Sequence, residues 1–301
     1  MQFIKFSSIE NSYQPALLKK ARDLYLGDYV VTEKLHGSNI GFYYGKDKEP
    51  RIASRNGFTD ENFYNMASST VIQDLMPRLQ LAADAMLDMY DTDQVIIYGE
   101  LVGNGIQKGV FYSKDKSFYA FRISFVFDDE EEVLDYASFS EICDKFDIPQ
   151  VPFIYQGKLD DCLKISNAFD SLVANIPDNI CEGVVISPVV CRYYGNGNAI
   201  MFKNKNDKFR EKSVKQKEPV NFDIMDNEFL GDAMLYITEN LAQSIISKFG
   251  CDITLMPFYM KEFNEEMVRE LGAAYEGMKM EKKYLMSEFI KLIKPLLRAQ
   301  S

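Results

Sequence analysis

The chain has 301 residues, 47% of them hydrophobic and 13% aromatic, enough apolar material for one large domain and a smaller one, and this excludes global disorder. A formal net charge of −11 argues, as an average, against a polyanionic partner, and a single histidine excludes any multi-histidine metal centre. Five cysteines, odd in number and without a CxxC pair, fit a reducing, cytoplasmic setting better than a disulfide framework.

Met1 to Glu10 has no basic start leading into a long apolar run, so no signal peptide is expected, and no stretch has the length of a membrane span. Apolar residues recurring at three and four predict a helix over Ala16–Leu26, and short β-type runs follow at Tyr29–Glu33 and Ile40–Tyr44. A second helix is expected over Val71–Met89, then strands at Val95–Tyr98 and Phe118–Phe127. The acidic run Asp128, Asp129, Glu130, Glu131 and Glu132 lies between apolar stretches and predicts an exposed loop. Helices are expected over Phe139–Phe146 and Leu159–Ala174, and a strand over Gly183–Ile186.

Lys203 to Lys217 holds seven basic residues against two acidic ones, so the negative average hides a segregation of charge. Beyond the polar stretch Arg210–Pro219 the texture becomes helical, through Asp226–Phe249, Tyr259–Met278 and Lys282–Arg298. The expected organisation is an α+β domain of antiparallel sheets with flanking helices over residues 1–215, then a small all-α domain over residues 216–301.

With histidine and cysteine chemistry so restricted, lysines and carboxylates must carry any reaction. Lys34 ends one apolar strand and a turn, His36-Gly37-Ser38-Asn39, returns the chain into a second, so its amine sits on rigid backbone. A lysine near its reference pKa of about 10.4 is protonated at neutral pH, and one that acts as a nucleophile needs neighbouring cations or desolvation. Lys203 and Lys205, two apart in an extended segment, share a face and can clamp phosphates. Glu182 and Glu100 each stand near a strand end, where a carboxylate suits magnesium or a ribose hydroxyl. Each feature alone is ordinarily a solvated lysine or an edge carboxylate. Gly103-Asn104-Gly105 and Asn196-Gly197 are turn signals and fit neither the dinucleotide spacing nor the Walker pattern, so nucleotide use would not be of the P-loop type.

Taken in order, Glu33-Lys34-Leu35-His36-Gly37-Ser38-Asn39, Ser54-Arg55-Asn56-Gly57, Tyr98-Gly99-Glu100, Ser117-Phe118-Tyr119-Ala120-Phe121, Glu182-Gly183-Val184-Val185-Ile186 and Lys203-Asn204-Lys205 resemble the collinear motifs of covalent nucleotidyltransferases. The first motif and the segment Gly99–Gly109 are most similar to the RNA ligase 2 family of T-even phage and kinetoplastid editing ligases. DNA ligases usually carry KxDG at the first motif, so the sequence after Lys34 disfavours a DNA ligase or a capping-type guanylyltransferase. The third alternative is a catalytically silent RNA-binding relative.

The resemblance implies an ATP-dependent enzyme of RNA repair that joins a 3′-hydroxyl to a 5′-phosphate, on nicked duplex RNA, with no obligate protein partner. It implies that Lys34 carries AMP, that Glu100 holds the ribose, that Phe118 stacks on adenine, and that Glu182 acts with magnesium. Lys203 and Lys205 would contact the α-phosphate. Arg55 would lie near the nucleotide and the RNA phosphate, while Glu33, His36 and Asn39 belong to the nucleotide motif without separate roles. One position departs: the family often has aspartate where this chain has Arg122.

Overall fold

The computed structural model describes residues 1–59, 63–128, 130–210, 230, 233–272, 275–276 and 280–300. By contact, the chain divides into two compact units, residues 1–206 and 207–301. The boundary expected near residue 215 lies outside the described residues, as do Asp129 and the first residues of the helix expected from Asp226.

The larger unit is built from two sheets. The first is ordered β1 (Glu10–Asn11), β11 (Phe202–Lys205), β10 (Gly183–Pro188), β2 (Tyr29–Lys34) and β9 (Phe153–Gly157), antiparallel except for the two-residue β1–β11 pairing. The second is fully antiparallel: β5 (Gly57–Thr59), β4 (Arg51–Ser54), β3 (Ser38–Gly45), β6 (Gln94–Val102), β7 (Ser117–Phe127) and β8 (Glu130–Val133). The α+β expectation is met.

Period-two alternation explains how the second sheet is covered on both sides. Ile40, Phe42 and Tyr44 of β3, with Val95 and Ile97 of β6, pack against helix α2 (Thr70–Tyr90) and helix α3 (Tyr136–Lys145). The residues between them, Tyr43, Ile96 and Tyr98, join Phe6, Ala199 and Met201 in a second core. Being buried on both faces is why Val95–Tyr98 reads as an unbroken apolar run. Helix α2 is started by Ser69, whose hydroxyl accepts from Ile72 N, and it buries Ile72, Leu75, Leu79, Ala82, Ala83 and Met86 on one stripe. In the first sheet, Val31, Val184, Ile186 and Phe202 face helix α1 (Pro15–Leu24) and the single turn α4 (Leu159–Cys162).

Two sequence expectations fail for reasons of pairing. The acidic run is not a loop: Glu130, Glu131 and Glu132 pair with Phe127, Val126 and Phe125 as the outer strand β8. Charge on an edge strand blocks edge-to-edge association, so an acidic strand is stable there. The helix expected over Leu159–Ala174 stops at Cys162. Beyond it Ser166, Asn167 and Ser171 turn their side chains to backbone groups or to distant partners, which competes with helical bonding.

The smaller unit contains helices α5 (Glu239–Phe249), α6 (Met256–Leu271) and α7 (Met280–Gln300). Ile245, Tyr259, Phe263, Leu285, Phe289 and Ile293 form its core, with the Phe263 and Phe289 rings stacked at 4.2 Å between centroids. No described helix is long and apolar enough to cross a membrane.

Candidate active site

Strand register brings the basic residues together. Gly183 of β10 lies opposite both Lys34 and Lys205, and Val185 lies opposite Thr32 and Lys203. Opposed residues share a face, so Lys34, Lys203 and Lys205 project to one side of three adjacent strands. Gly183 itself has φ +146°, and a Cβ there would lie 2.1 Å from the Asn204 carbonyl oxygen, so this crossing point admits only glycine.

Glu182, at the start of β10, is the centre of the cluster. Its Oε2 accepts from Lys34 Nζ at 2.7 Å, its Oε1 is 2.8 Å from Lys205 Nζ, and His36 Nδ1 lies 3.4 Å from Oε2. The carboxylate is only 3% exposed. Burial pushes the Glu182 carboxyl upward, but Lys205, Lys34 and His36 together outweigh burial and hold it well below the usual carboxylate range. The backbone N–H of Asn206 donates to the Glu182 carbonyl at 3.0 Å, and the Asn206 side-chain amide donates to the Cys181 carbonyl, fixing the strand end that carries the carboxylate.

Glu100 approaches from the second sheet. It lies opposite Asn39, so the two share the face of Tyr98, the side of the core containing Phe6 and Met201. Its Oε1 accepts from Gly37 N at 3.0 Å, which ties the turn after Lys34 to β6. Burial is the main cause that pushes the Glu100 carboxyl up to about 7; Lys34 opposes this and Glu182 adds to it. Arg55, in the β4–β5 turn, donates to Ser8 Oγ at 3.0 Å and also acts electrostatically on Glu100.

Two expected contributors are placed elsewhere. The Glu33 side chain faces the opposite side of the sheet from Lys34, with Val31 and Val184, where it accepts from Ser171 Oγ at 2.6 Å and Leu172 N at 2.8 Å. Burial outweighs these two hydrogen bonds and raises its carboxyl. Phe118, expected to stack on adenine, is 2% exposed and belongs to the core against α2. It seats on Gly99, where a Cβ would lie 2.2 Å from the ring, on the face away from Glu100. The period-two alternation that carries Glu100 to one face carries Phe118 to the other. The aromatic residues of the Glu100 face are Tyr119, directly opposite Glu100, and Phe121, packed against the core of Phe6 and Tyr98.

Arg122, the departure from the family pattern, has a defined place. Its guanidinium lies 4.8 Å from the Phe6 ring centroid and donates to Met201 Sδ at 2.9 Å.

Several supports had no sequence signal. The Tyr112 hydroxyl accepts from His36 N at 2.7 Å from a position 76 residues away, and Ser171 reaches Glu33 across 138 residues. Asn167 Nδ2 donates to the Lys205 carbonyl at 2.9 Å from within a segment expected to be helical.

Metal fit follows from the donor set. Among the described residues no three His, Cys, Asp or Glu side chains gather into a cage, so a metal at Glu182 would take at most one further such side chain. That suits a magnesium-type ion, which takes one or two carboxylates and completes its sphere with water and substrate phosphates.

Solved structures of known proteins share the fold. A lysine-to-alanine mutant of the Naegleria gruberi RNA ligase with ATP and Mn matches with a TM-score of 0.51 at 18% identity, over 69% of this chain and 58% of that one. A glutamate-to-alanine mutant of the same ligase with AMP and Mn gives 0.51 at 19% identity, with coverage of 69% and 58%. The ligase with PPi gives 0.50 at 18%, again covering 69% and 58%. These likenesses show the shared fold, and the chain spans less than two thirds of that ligase's length. A family model described as RNA ligase matches residues 27–205, more than half of the chain and every residue from Lys34 to Lys205. The chain belongs to the RNA ligase family.

Proposed function

We propose that this chain is an ATP-dependent RNA ligase in which Lys34 carries AMP, acting with magnesium on nicked duplex RNA. The observation that carries the reading is the shared carboxylate, Glu182 between Lys34 and Lys205. A protonated lysine paired with a carboxylate has no lone pair to give. Glu182, held well below its usual range, is too weak a base to take that proton. Activation therefore requires Glu182 to be drawn off Lys34. A divalent ion on Glu182 would do this by competing with Lys34 for the carboxylate, and it would also supply positive charge to the phosphates, which Lys205 and Lys203 meet as well.

Lys34 then releases a proton to solvent and attacks in line. The Nζ–Pα bond forms, the bond from Pα to the bridging oxygen breaks, and pyrophosphate leaves. An RNA 5′-phosphate oxygen displaces Lys34 from the adenylate, and the lysine recovers a proton. A 3′-hydroxyl finally attacks the activated phosphate and AMP departs. Glu100 and Asn39 orient the ribose side of the nucleotide, and the base lies against the Tyr119–Phe121 face in place of Phe118. Arg55 contacts phosphate. The C-terminal residues 216–301 engage the duplex.

Incubation with α-labelled ATP and magnesium, then denaturing electrophoresis, tests the reading. Wild type should retain label and Lys34→Ala should not; label in both, or in neither, defeats it. Truncation after Val214 tests the duplex role: undiminished joining of nicked duplexes would remove it.

A further inference from the structure

The loop between β6 and β7 holds an aromatic residue that the site chemistry does not use. Val110 and Tyr112 are buried, while Phe111 between them is 46% exposed. Tyr112 is the residue whose hydroxyl holds His36 N, two positions from Lys34. Phe111 is also gripped from the other side: its N–H donates to Asn179 Oδ1 at 2.8 Å, and Asn179 Nδ2 donates to its carbonyl at 2.7 Å. One asparagine side chain thus clamps both polar groups of a single residue, so an exposed loop aromatic is held on a fixed backbone.

The segment that supplies the clamp is itself tied to the site. Asn179 carbonyl accepts from Ser171 N at 2.9 Å, and Ser171 and Leu172 N hold Glu33 next to Lys34. Its outward side chains include Leu172, 56% exposed, and Ile176, 41% exposed. Three positions to either side of Phe111, Lys108 and Lys114 are exposed as well. An outward aromatic with an exposed lysine three positions to either side in sequence carries the chemistry that binds a nucleic-acid strand, a ring for a base and cations for phosphates. Scattered exposed apolar residues need no explanation, but a clamped one, adjacent in sequence to the tyrosine that holds the turn after Lys34, does.

We propose that Phe111, held by Asn179 and flanked by Lys108 and Lys114, is a stacking site for one nucleobase of the RNA strand delivered to Lys34. This rests on the RNA ligase reading, and deepens it by naming where a base of the second substrate sits. Preorganisation is the point of the clamp: a ring already fixed loses little freedom when a base stacks on it.

The test uses the full-length protein and nicked RNA duplexes carrying 2-aminopurine at successive positions around the nick, whose fluorescence is quenched by stacking. Wild type should quench one position, Phe111→Trp should keep that quenching, and Phe111→Ala should lose it with a roughly five- to hundred-fold weaker Kd. Asn179→Ala, which frees the backbone while leaving the ring, should give a partial loss at the same position. Identical quenching and affinity in wild type and Phe111→Ala would overturn the proposal. If wild type binds no RNA, both this inference and the ligase reading fall; if it binds RNA and forms the AMP adduct but Phe111→Ala changes nothing, only this inference does.

Discussion

Each unit of the chain buries a lysine against carboxylates at nearly the same distance, and the two arrangements do different things. In the helical unit Lys248 bonds Glu262 and Glu266 at 2.6 Å each, and Arg269 bonds Glu266 at 2.5 Å. Among the described residues, two cations there meet two carboxylates on α5 and α6. In the larger unit one carboxylate, Glu182, serves Lys34 and Lys205 with His36 beside it, and Lys203 shares the face. There a single carboxylate is shared by two lysines from different strands, at the meeting of three strands and a turn. The first network ties two helices around one core; the second gathers lysines on one sheet face, where the proposed reading puts the triphosphate.

The comparison can be broken most forcefully in the helical unit. Lys248→Met leaves Glu262 buried without its cation and should cost about 3–5 kcal/mol of stability, read by denaturant unfolding of that unit. Adduct formation well below the melting temperature should change little. If adenylylation were lost while the fold survived, the network would not be merely structural.

In the larger unit, Lys205→Ala should leave the fold largely intact and slow single-turnover adduct formation roughly 100-fold or more, the usual cost of removing one charged stabiliser of a developing anion. A rate within a fewfold of wild type would show that Lys205 is only Glu182's structural partner.

Glu100 gives the larger unit a pH signature. Its carboxyl moves from 4.5 to about 7 on folding, so the folded state binds the proton more tightly. Its contribution to stability is therefore present below about pH 4.5 and is lost as pH rises through 7, by on the order of 3 kcal/mol. Glu182 runs the other way, contributing above the normal carboxylate range and losing that as pH falls. Glu100→Gln should remove the decline between pH 4.5 and 7, measured by chemical denaturation across that window. An unchanged slope would contradict the placement of Glu100. The smallest effect is Tyr112→Phe, which deprives His36 N of its acceptor and should cost about 1–2 kcal/mol.

How much of this was legible in the sequence depends on what fixed each part. Lys203 and Lys205 could be placed on one face because they lie two apart in a strand, whereas Lys34 and Glu182 were singled out by motif resemblance and the register that brings them together was not readable. The same alternation, applied to β7, places Phe118 in the wrong face for stacking, a consequence that motif resemblance alone did not carry. The acidic strand β8 was illegible because its stability comes from pairing with β7 rather than from its own propensity. The Leu159–Ala174 segment misled because local periodicity yielded to distant duties, with Asn167 on the Lys205 carbonyl and Ser171 on Glu33. Tyr112 and Asn206 act through backbone groups, and backbone groups leave no trace in composition.

The most direct test of the account is the mass of intact protein after incubation with ATP and magnesium, followed by peptide mapping of the modified species. The account predicts a single added AMP on the peptide containing Lys34, absent in Lys34→Ala. An AMP mapped to Lys203, Lys205 or any other residue, or retained in Lys34→Ala, would contradict it.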